Sequence, residues 1–174
     1  MDKYHYVDYS TIHKHVKFLA ECVKEANYKS DLIVAIGSGG FIPARILKTF
    51  LDLPILAVGI SYYALNNKPL NFPQKIQWID EAQQQLNKKR ILLIDEVDDT
   101  RTTLLYCIEE LLKYNPSEIA VLVLHNKRKK KAGEFPPEVS HYFVAQEIED
   151  LWIKYPWDAL DIELHNKKCK ESKE

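Results

Sequence analysis

Residues 95–103 concentrate more potential chemistry than any other stretch of the chain. Asp95, Glu96, Asp98 and Asp99 put four carboxylates within five positions, and Thr100, Arg101, Thr102 and Thr103 follow directly. Like charges this close repel, so a fold with no use for them would not gather them cheaply. The adjacent pair Asp95 and Glu96 can accept hydrogen bonds from two sugar hydroxyls or face a hydrated Mg2+. Three hydroxyls, a guanidinium and the free N–H groups of a helix start make a phosphate cradle. A solvated acidic turn with Asp99 or Thr100 as a helix cap is the alternative, but a cap needs one such residue.

A second candidate is Gly37-Ser38-Gly39-Gly40, which holds three of the five glycines in the chain. Glycine lets a ligand or another backbone come close, and N–H groups opening a following helix attract anions. Ile42 stands where a dinucleotide fingerprint needs its third glycine, and no Gly-Lys-Ser/Thr follows for a P-loop. A plain tight turn is the competing reading. Lys127, Arg128, Lys129, Lys130 and Lys131 form a basic run, and such runs usually face water. Trp152, Ile153, Tyr155, Pro156, Trp157 and Asp158 form an aromatic cluster that includes two of the three tryptophans.

These residues need elements to position them. Apolar runs over 31–37, 54–60, 90–95 and 118–124 read as strands buried on both faces. Helical spacing over 9–27 (Ile12, Val16, Leu19, Val23), 41–50 and 102–113 reads as helices, with Ser10 or Thr11 as the first N-cap and Pro43 tolerated in a first turn. Strand–helix alternation predicts an α/β fold: a doubly wound, mostly parallel sheet flanked by helices. Ligands in such sheets bind at the C-terminal strand ends, where 37–40, 95–103 and 125–131 fall. The polar stretch 61–85 reads as a long loop with a short strand near 76–78, a natural lid. A strand is expected near 142–146, and the charged tail from Asn166 is expected to fray.

Composition bounds the rest. A length of 174 residues suits one domain. We expect a core over about 9–131 and a small C-terminal hood over about 132–165. A net charge of −1 with 28% charged residues argues against a nucleic-acid binder. Cys22, Cys107 and Cys169 show no paired spacing, so neither a zinc site nor a disulfide framework is expected, and a cytoplasmic location is. No secretory leader and no apolar run approaching the ~20 residues of a membrane span are visible.

Taken together, the motifs resemble type I phosphoribosyltransferases, in particular the purine branch and its fungal hypoxanthine–guanine and xanthine enzymes. Residues 91–103, with four apolar positions, two acids and a short loop ending Asp-Thr-x-x-Thr, resemble the family's motif for phosphoribosyl pyrophosphate (PRPP). Gly37-Ser38-Gly39-Gly40 resembles its pyrophosphate loop, and 152–158 resembles its base-binding segment. The similarity spans about residues 9–165. It implies transfer of the 5-phosphoribosyl group from PRPP to a 6-oxopurine, with Mg2+ as cofactor and a homodimer or homotetramer as assembly. Asp95 and Glu96 would hold the ribose hydroxyls and face the metal, Glu96 first, through water. Asp98 and Thr100 to Thr103 would belong to the donor site. Ser38, Gly39 and Gly40 would hold pyrophosphate across a strained Ser38–Gly39 peptide. Asp99 and Lys127 would be catalytic: Asp99 facing the imidazole ring, Lys127 the 6-oxo group. Trp152 would stack on the base and the Ile153 backbone would read its edge, while Trp157 packs. Asp158 approaches a second metal or caps a helix. Tyr63, or Tyr62, resembles the lid tyrosine over 61–77.

Two positions depart from the family's pattern. Arg101 stands where glycine is usual, although the fungal-like enzymes share it, and would add a phosphate contact or narrow the site. Ser38 replaces a cation of the pyrophosphate loop, for which Arg45, Lys68 and Lys75 are candidates. His5, His13 and His15 read as surface residues, His125 as a loop histidine, and Cys22 and Cys107 as buried small hydrophobes. Two other functions remain open. One is a regulator that keeps the PRPP pocket and works by binding RNA, DNA or a partner. The other is an orotate or uracil transferase, which the 152–158 segment disfavours.

Overall fold

The computed structural model describes residues 4–63 and 69–172. Its main sheet has six strands in the order β4-β3-β2-β5-β6-β7. These are β2 (Leu32–Gly37), β3 (Ile55–Tyr63), β4 (Pro69–Gln77), β5 (Arg90–Asp98), β6 (Glu118–Lys127) and β7 (Val139–Ile148). All pairings are parallel except β3 with β4. Four helices accompany it: α1 (Tyr9–Glu25), α2 (Phe41–Leu51), α3 (Ala82–Leu86) and α4 (Thr102–Leu112).

Side chains alternate across a strand, so each central strand feeds two cores. Ile33, Ala35, Leu92, Ile94, Ala120 and Leu122 meet Val16 and Leu19 of α1 and Leu47 of α2. Val34, Ile36, Leu93, Val121 and Val123 meet Leu104, Ile108 and Leu111 of α4. Burial on both faces explains why these strands read as unbroken apolar runs. From β2 the chain turns outward to β3, whereas β5 lies on its other side. The loops leaving β2 and β5 therefore diverge, and the crevice between them is where an open α/β sheet takes its ligand.

A second, two-stranded sheet pairs β1 (Tyr4–Tyr6) in parallel with β8 (Trp152–Lys154). A short 3-10 turn (Pro156–Asp158) and α5 (Ile162–Glu171) complete this hood. It is thus built from both ends of the chain, while β7, within the stretch expected to be hood, joins the main sheet.

Several local expectations are corrected. Asp8, not Ser10 or Thr11, caps α1, accepting the Thr11 N–H at 2.6 Å from an extended backbone. The 61–85 loop is mostly a β3–β4 hairpin followed by α3. Its polar, proline-bearing β4 escaped notice because an edge strand with one neighbour tolerates proline. The tip of the expected lid, Lys68 included, lies outside the described residues, as does the side chain of Tyr63. The tail is helical: Asp161 accepts the Leu164 N–H at 3.0 Å, and His165 Nε2 donates to the Val7 carbonyl at 2.8 Å. Cys107 is buried as expected, whereas Cys22 is only partly so.

Candidate active site

The apolar stretch 91–94 of β5 is fully buried, and it delivers Asp95 and Glu96 to the crevice floor. Asp95 Oδ1 accepts the Glu96 N–H at 2.9 Å. Burial, then the neighbouring Glu96 charge, pushes the Asp95 carboxyl well above its ordinary range. A cation would relieve the repulsion that raises Asp95. Among the described residues, no cluster of three or more His, Cys, Asp or Glu side chains forms a metal cage. Two carboxylates alone fit an ion such as Mg2+, which keeps several waters and takes other oxygens from substrate phosphates.

The glycine turn after β2 supports this floor. A Cβ at Gly39 would collide with the Glu96 carboxylate, and one at Gly40 would press on the backbone carbonyls of Ile36 and Ile94. The turn contains a cis peptide at Gly37–Ser38, one residue before the bond expected to be strained. Gly39 lies against Glu96, and Ser38, Gly39 and Gly40 are not among the residues lining the cleft. Of the candidate cations for this loop, Lys75 is already engaged, 2.7 Å from Glu110. Arg45 faces Thr49 on α2 at 3.3 Å.

The wall opposite is the turn into α4. Thr100 and Thr102 hydroxyls lie 2.9 Å apart. Arg101 has φ 68°, the left-handed region that explains glycine's use there in the resembling family. Its guanidinium Nε donates to Asp98 Oδ2 at 2.9 Å and its guanidinium carbon sits 4.2 Å from the Phe135 ring centroid. Arg101 lines the cleft with its Nε held by Asp98; Asp98 departs from expectation. Asp98 is fully buried beneath the loop, accepting also from Tyr142 Oη at 2.8 Å, and it does not line the cleft. Its negative charge in turn raises the Tyr142 hydroxyl, after burial.

The third wall brings together residues far apart in sequence. Lys127 Nζ, near the end of β6, stands 3.4 Å from Asp99 Oδ1. Lys129 Nζ is closer still, at 3.0 Å, and also bonds Asp150 at 2.9 Å. The hydrogen bond to Asp150 is the largest influence raising Lys129 above its ordinary value. The expectation of a solvated run for 128–131 is therefore corrected for Lys129 and for Lys131, which pairs with Asp98, whereas Arg128, paired with Glu149, and Lys130, unpaired among the described residues, are exposed as expected. Trp152 is 63% exposed, with Lys127 Nζ 5.9 Å from its ring centroid. Ile153 is buried, and its backbone pairs with His5. Trp157 stacks on Tyr155 at 4.4 Å, the packing role expected.

Beneath this wall lies a contact network that the sequence did not disclose. Tyr155 Oη donates to the Glu96 carbonyl at 3.1 Å and meets His125 Nδ1 at 2.8 Å. One hydroxyl proton serves the carbonyl, so His125 Nδ1 must be the donor to Tyr155. His125 is fully buried in β6, not in a loop, and the rings of His5 and His15 lie edge-on 5.6 Å from it. Burial lowers the His125 imidazole to about 3, helped by the two neighbouring histidines. His5 and His15 are thus partly buried neighbours of His125, not plain surface residues.

Asp95, Glu96, Asp99, Thr100 to Thr103, Lys127, Trp152 and Ile153 converge on one cleft of about 280 Å3, together with Tyr62, Tyr155 and Asp158. Such a site, at the switch point of a parallel sheet, is where an α/β protein of this topology takes its ligand. The chain belongs to the phosphoribosyl transferase domain family, which it matches over residues 8–161. It is 40% identical to the hypoxanthine-guanine phosphoribosyltransferase of Schizosaccharomyces pombe, over 92% of each chain. It is 36% identical to xanthine phosphoribosyltransferase 1 of Saccharomyces cerevisiae, over 95% of this chain and 94% of that one. Among solved structures, a Neisseria gonorrhoeae protein with bound ppGpp matches with a TM-score of 0.90 at 44% identity, covering 99% of this chain and 98% of that one.

Proposed function

We propose that the protein is a purine phosphoribosyltransferase of nucleotide salvage, moving the 5-phosphoribosyl group of PRPP to hypoxanthine, guanine or xanthine. The observation that carries this reading is the convergence of Asp99 and Lys127, 3.4 Å apart, on the cleft that the acidic floor and threonine wall enclose. Thr100 to Thr103 bind the 5′-phosphate through hydroxyls and helix-start N–H groups. Asp95 and Glu96 accept hydrogen bonds from the ribose hydroxyls. Glu96 and Asp95 would hold Mg2+, which would supply charge neutralisation for the pyrophosphate. Lys127 donates to the 6-oxo group, which a 6-aminopurine lacks. Asp99 Oδ1 takes the imidazole proton as the purine nitrogen becomes nucleophilic. The purine attacks C1 of the ribose as pyrophosphate leaves, with inversion. Trp152 stacks on the base, and the protein works chiefly by positioning and shielding.

The test is a turnover assay with PRPP, Mg2+ and each purine in turn. Nucleotide and pyrophosphate should form in equal amounts, and no turnover with any 6-oxopurine would reject the reading. A second ligand is favoured by the gonococcal relative: ppGpp, whose guanine suits Lys127 and whose phosphates suit the threonine wall, occupies the same cleft in competition with PRPP. Added to the same assay, it should slow turnover, and excess PRPP should relieve it. A homodimer or homotetramer follows the family's habit, and three scattered cysteines with no paired spacing suit the cytosol. Among the described residues no helix is long and apolar enough to cross a membrane.

A further inference from the structure

The loop entering α4 is stitched to a segment whose sequence pointed to water. Lys131 Nζ donates to the Asp98 carbonyl at 2.7 Å and the Asp99 carbonyl at 2.8 Å. The next residue continues the seam, with the Ala132 N–H donating to the Thr100 carbonyl at 2.8 Å. Three successive carbonyls are thereby drawn to one side. In a planar trans peptide the following N–H points opposite to the C=O. The N–H groups of Asp99, Thr100 and Arg101 are therefore turned away from 131–132, toward the cleft that residues 99–103 line. Successive N–H groups facing one way form an anion-binding concavity.

The charges beneath the loop hold the same shape. Asp98 is fully buried and takes Arg101 Nε at 2.9 Å, Tyr142 Oη at 2.8 Å and Lys131 Nζ at 3.4 Å. Lys131 itself is 12% exposed. Burial draws its ammonium below its ordinary value, with Asp98 as the chief opposing influence. An ammonium is retained at such a place only where its donors are used, and here two carbonyls and a carboxylate use them. The Arg101–Asp98 bond sits at the left-handed residue immediately before α4. That bond and the Lys131 seam secure the two ends of one turn. The first turn of α4 has no side-chain cap, so its N–H groups add to the same concavity.

We propose that Lys131 is a positioning residue for the phosphorylated donor, holding residues 98–101 in their anion-binding shape before the donor arrives. The inference rests on the phosphoribosyl-donor reading of the cleft. A loop already ordered does not have its ordering cost deducted from donor affinity. Lys131 touches no substrate: it holds the backbone of 98–99, whereas Lys127 and Trp152 line the cleft from β6 and β8 without contact to it, so its effect falls chiefly on the donor.

The experiment compares Lys131→Met and Lys131→Arg with the unaltered protein. PRPP uptake is followed by calorimetry with Mg2+ present, and KM is determined for PRPP and for the purine separately. Lys131→Met should weaken PRPP binding about tenfold, equivalent to about 1.4 kcal/mol, while KM for the purine stays within about twofold. Lys131→Arg, which keeps donors at this place, should recover part of the loss. Tyr142→Phe, which removes one donor from Asp98, gives an independent reading and should raise the PRPP KM in the same direction. Unchanged PRPP affinity in a folded Lys131→Met protein overturns the proposal, as does a purine KM that rises in step. If Lys131→Met does not fold, an unchanged PRPP KM in Tyr142→Phe overturns it. Failure of the unaltered protein to take up PRPP overturns the donor reading itself, and this inference with it.

Discussion

The donor and base sides of the cleft are built by opposite means. The phosphate wall proposed for the donor is one contiguous turn, residues 98–103, lying over a buried ion cluster with Asp98 fully buried at its centre. The base side is assembled from separate segments: Asp99 from the loop after β5, Lys127 from β6, Asp150 from the loop after β7, and Trp152 from β8. Its aromatic face is open, with Trp152 63% exposed. The charges beneath the 98–103 turn are thus paired internally and set its backbone, whereas those on the base side meet at the cleft surface, where a ligand can exchange with them. A shape that precedes its ligand suits a donor common to a whole enzyme family. An open aromatic wall suits a flat base of the kind proposed.

The comparison is broken most severely at the one residue belonging to both sides. Asp99→Asn removes the proton acceptor while keeping the donor loop, so turnover should fall by roughly 10²–10⁴ with PRPP affinity little changed. Loss of both in equal measure, seen by calorimetry beside the rate, would mean that Asp99 only supports the loop. Trp152→Ala opens the base wall further. Base–aromatic stacking is worth about 1–3 kcal/mol, so KM for the purine should rise roughly tenfold or more while KM for PRPP holds; equal shifts in steady-state KM for both would merge the two sides.

The smallest effect concerns pH. His125 is lowered from an ordinary 6.5 to about 3, so the folded protein binds fewer protons there than the unfolded chain between those values. The stability that neutral His125 contributes is present above pH 6.5 and drains away as pH falls toward 3. His5 and His15 are lowered too, by burial, and act with the same sign. Thermal melts should show Tm falling from pH 7 to pH 5, and His125→Gln should flatten that slope. An equal slope in both proteins would place the pH dependence elsewhere.

Much of this was legible beforehand, and the reasons are physical. The runs over 91–94 and 119–124 are apolar because both faces of the sheet are covered, so they announced themselves as strands. Asp95 to Thr103 stood out because so many charges and hydroxyls in one turn are costly unless used. Lys129 and Lys131 of the basic run were misread because charge along a chain says nothing of what opposes it. Asp98, Asp99 and Asp150, which pair with them, come from other elements. His125 was misplaced because β6 runs on to Lys127, held by Asp98 on one side and Ile148 on the other beyond the last apolar residue.

Local pattern sufficed wherever the cause was local: the alternation of strands and helices, and the acidic turn. What only the folded chain decided is which distant side chains meet. Tyr155 reaching from the hood to the Glu96 carbonyl, and Lys131 reaching back to the carbonyls of residues 98 and 99, depend on strand register and on a hood strand formed by both termini. Hydrogen bonds and ion pairs act over a few ångströms of space, and distance along the chain does not enter their energy.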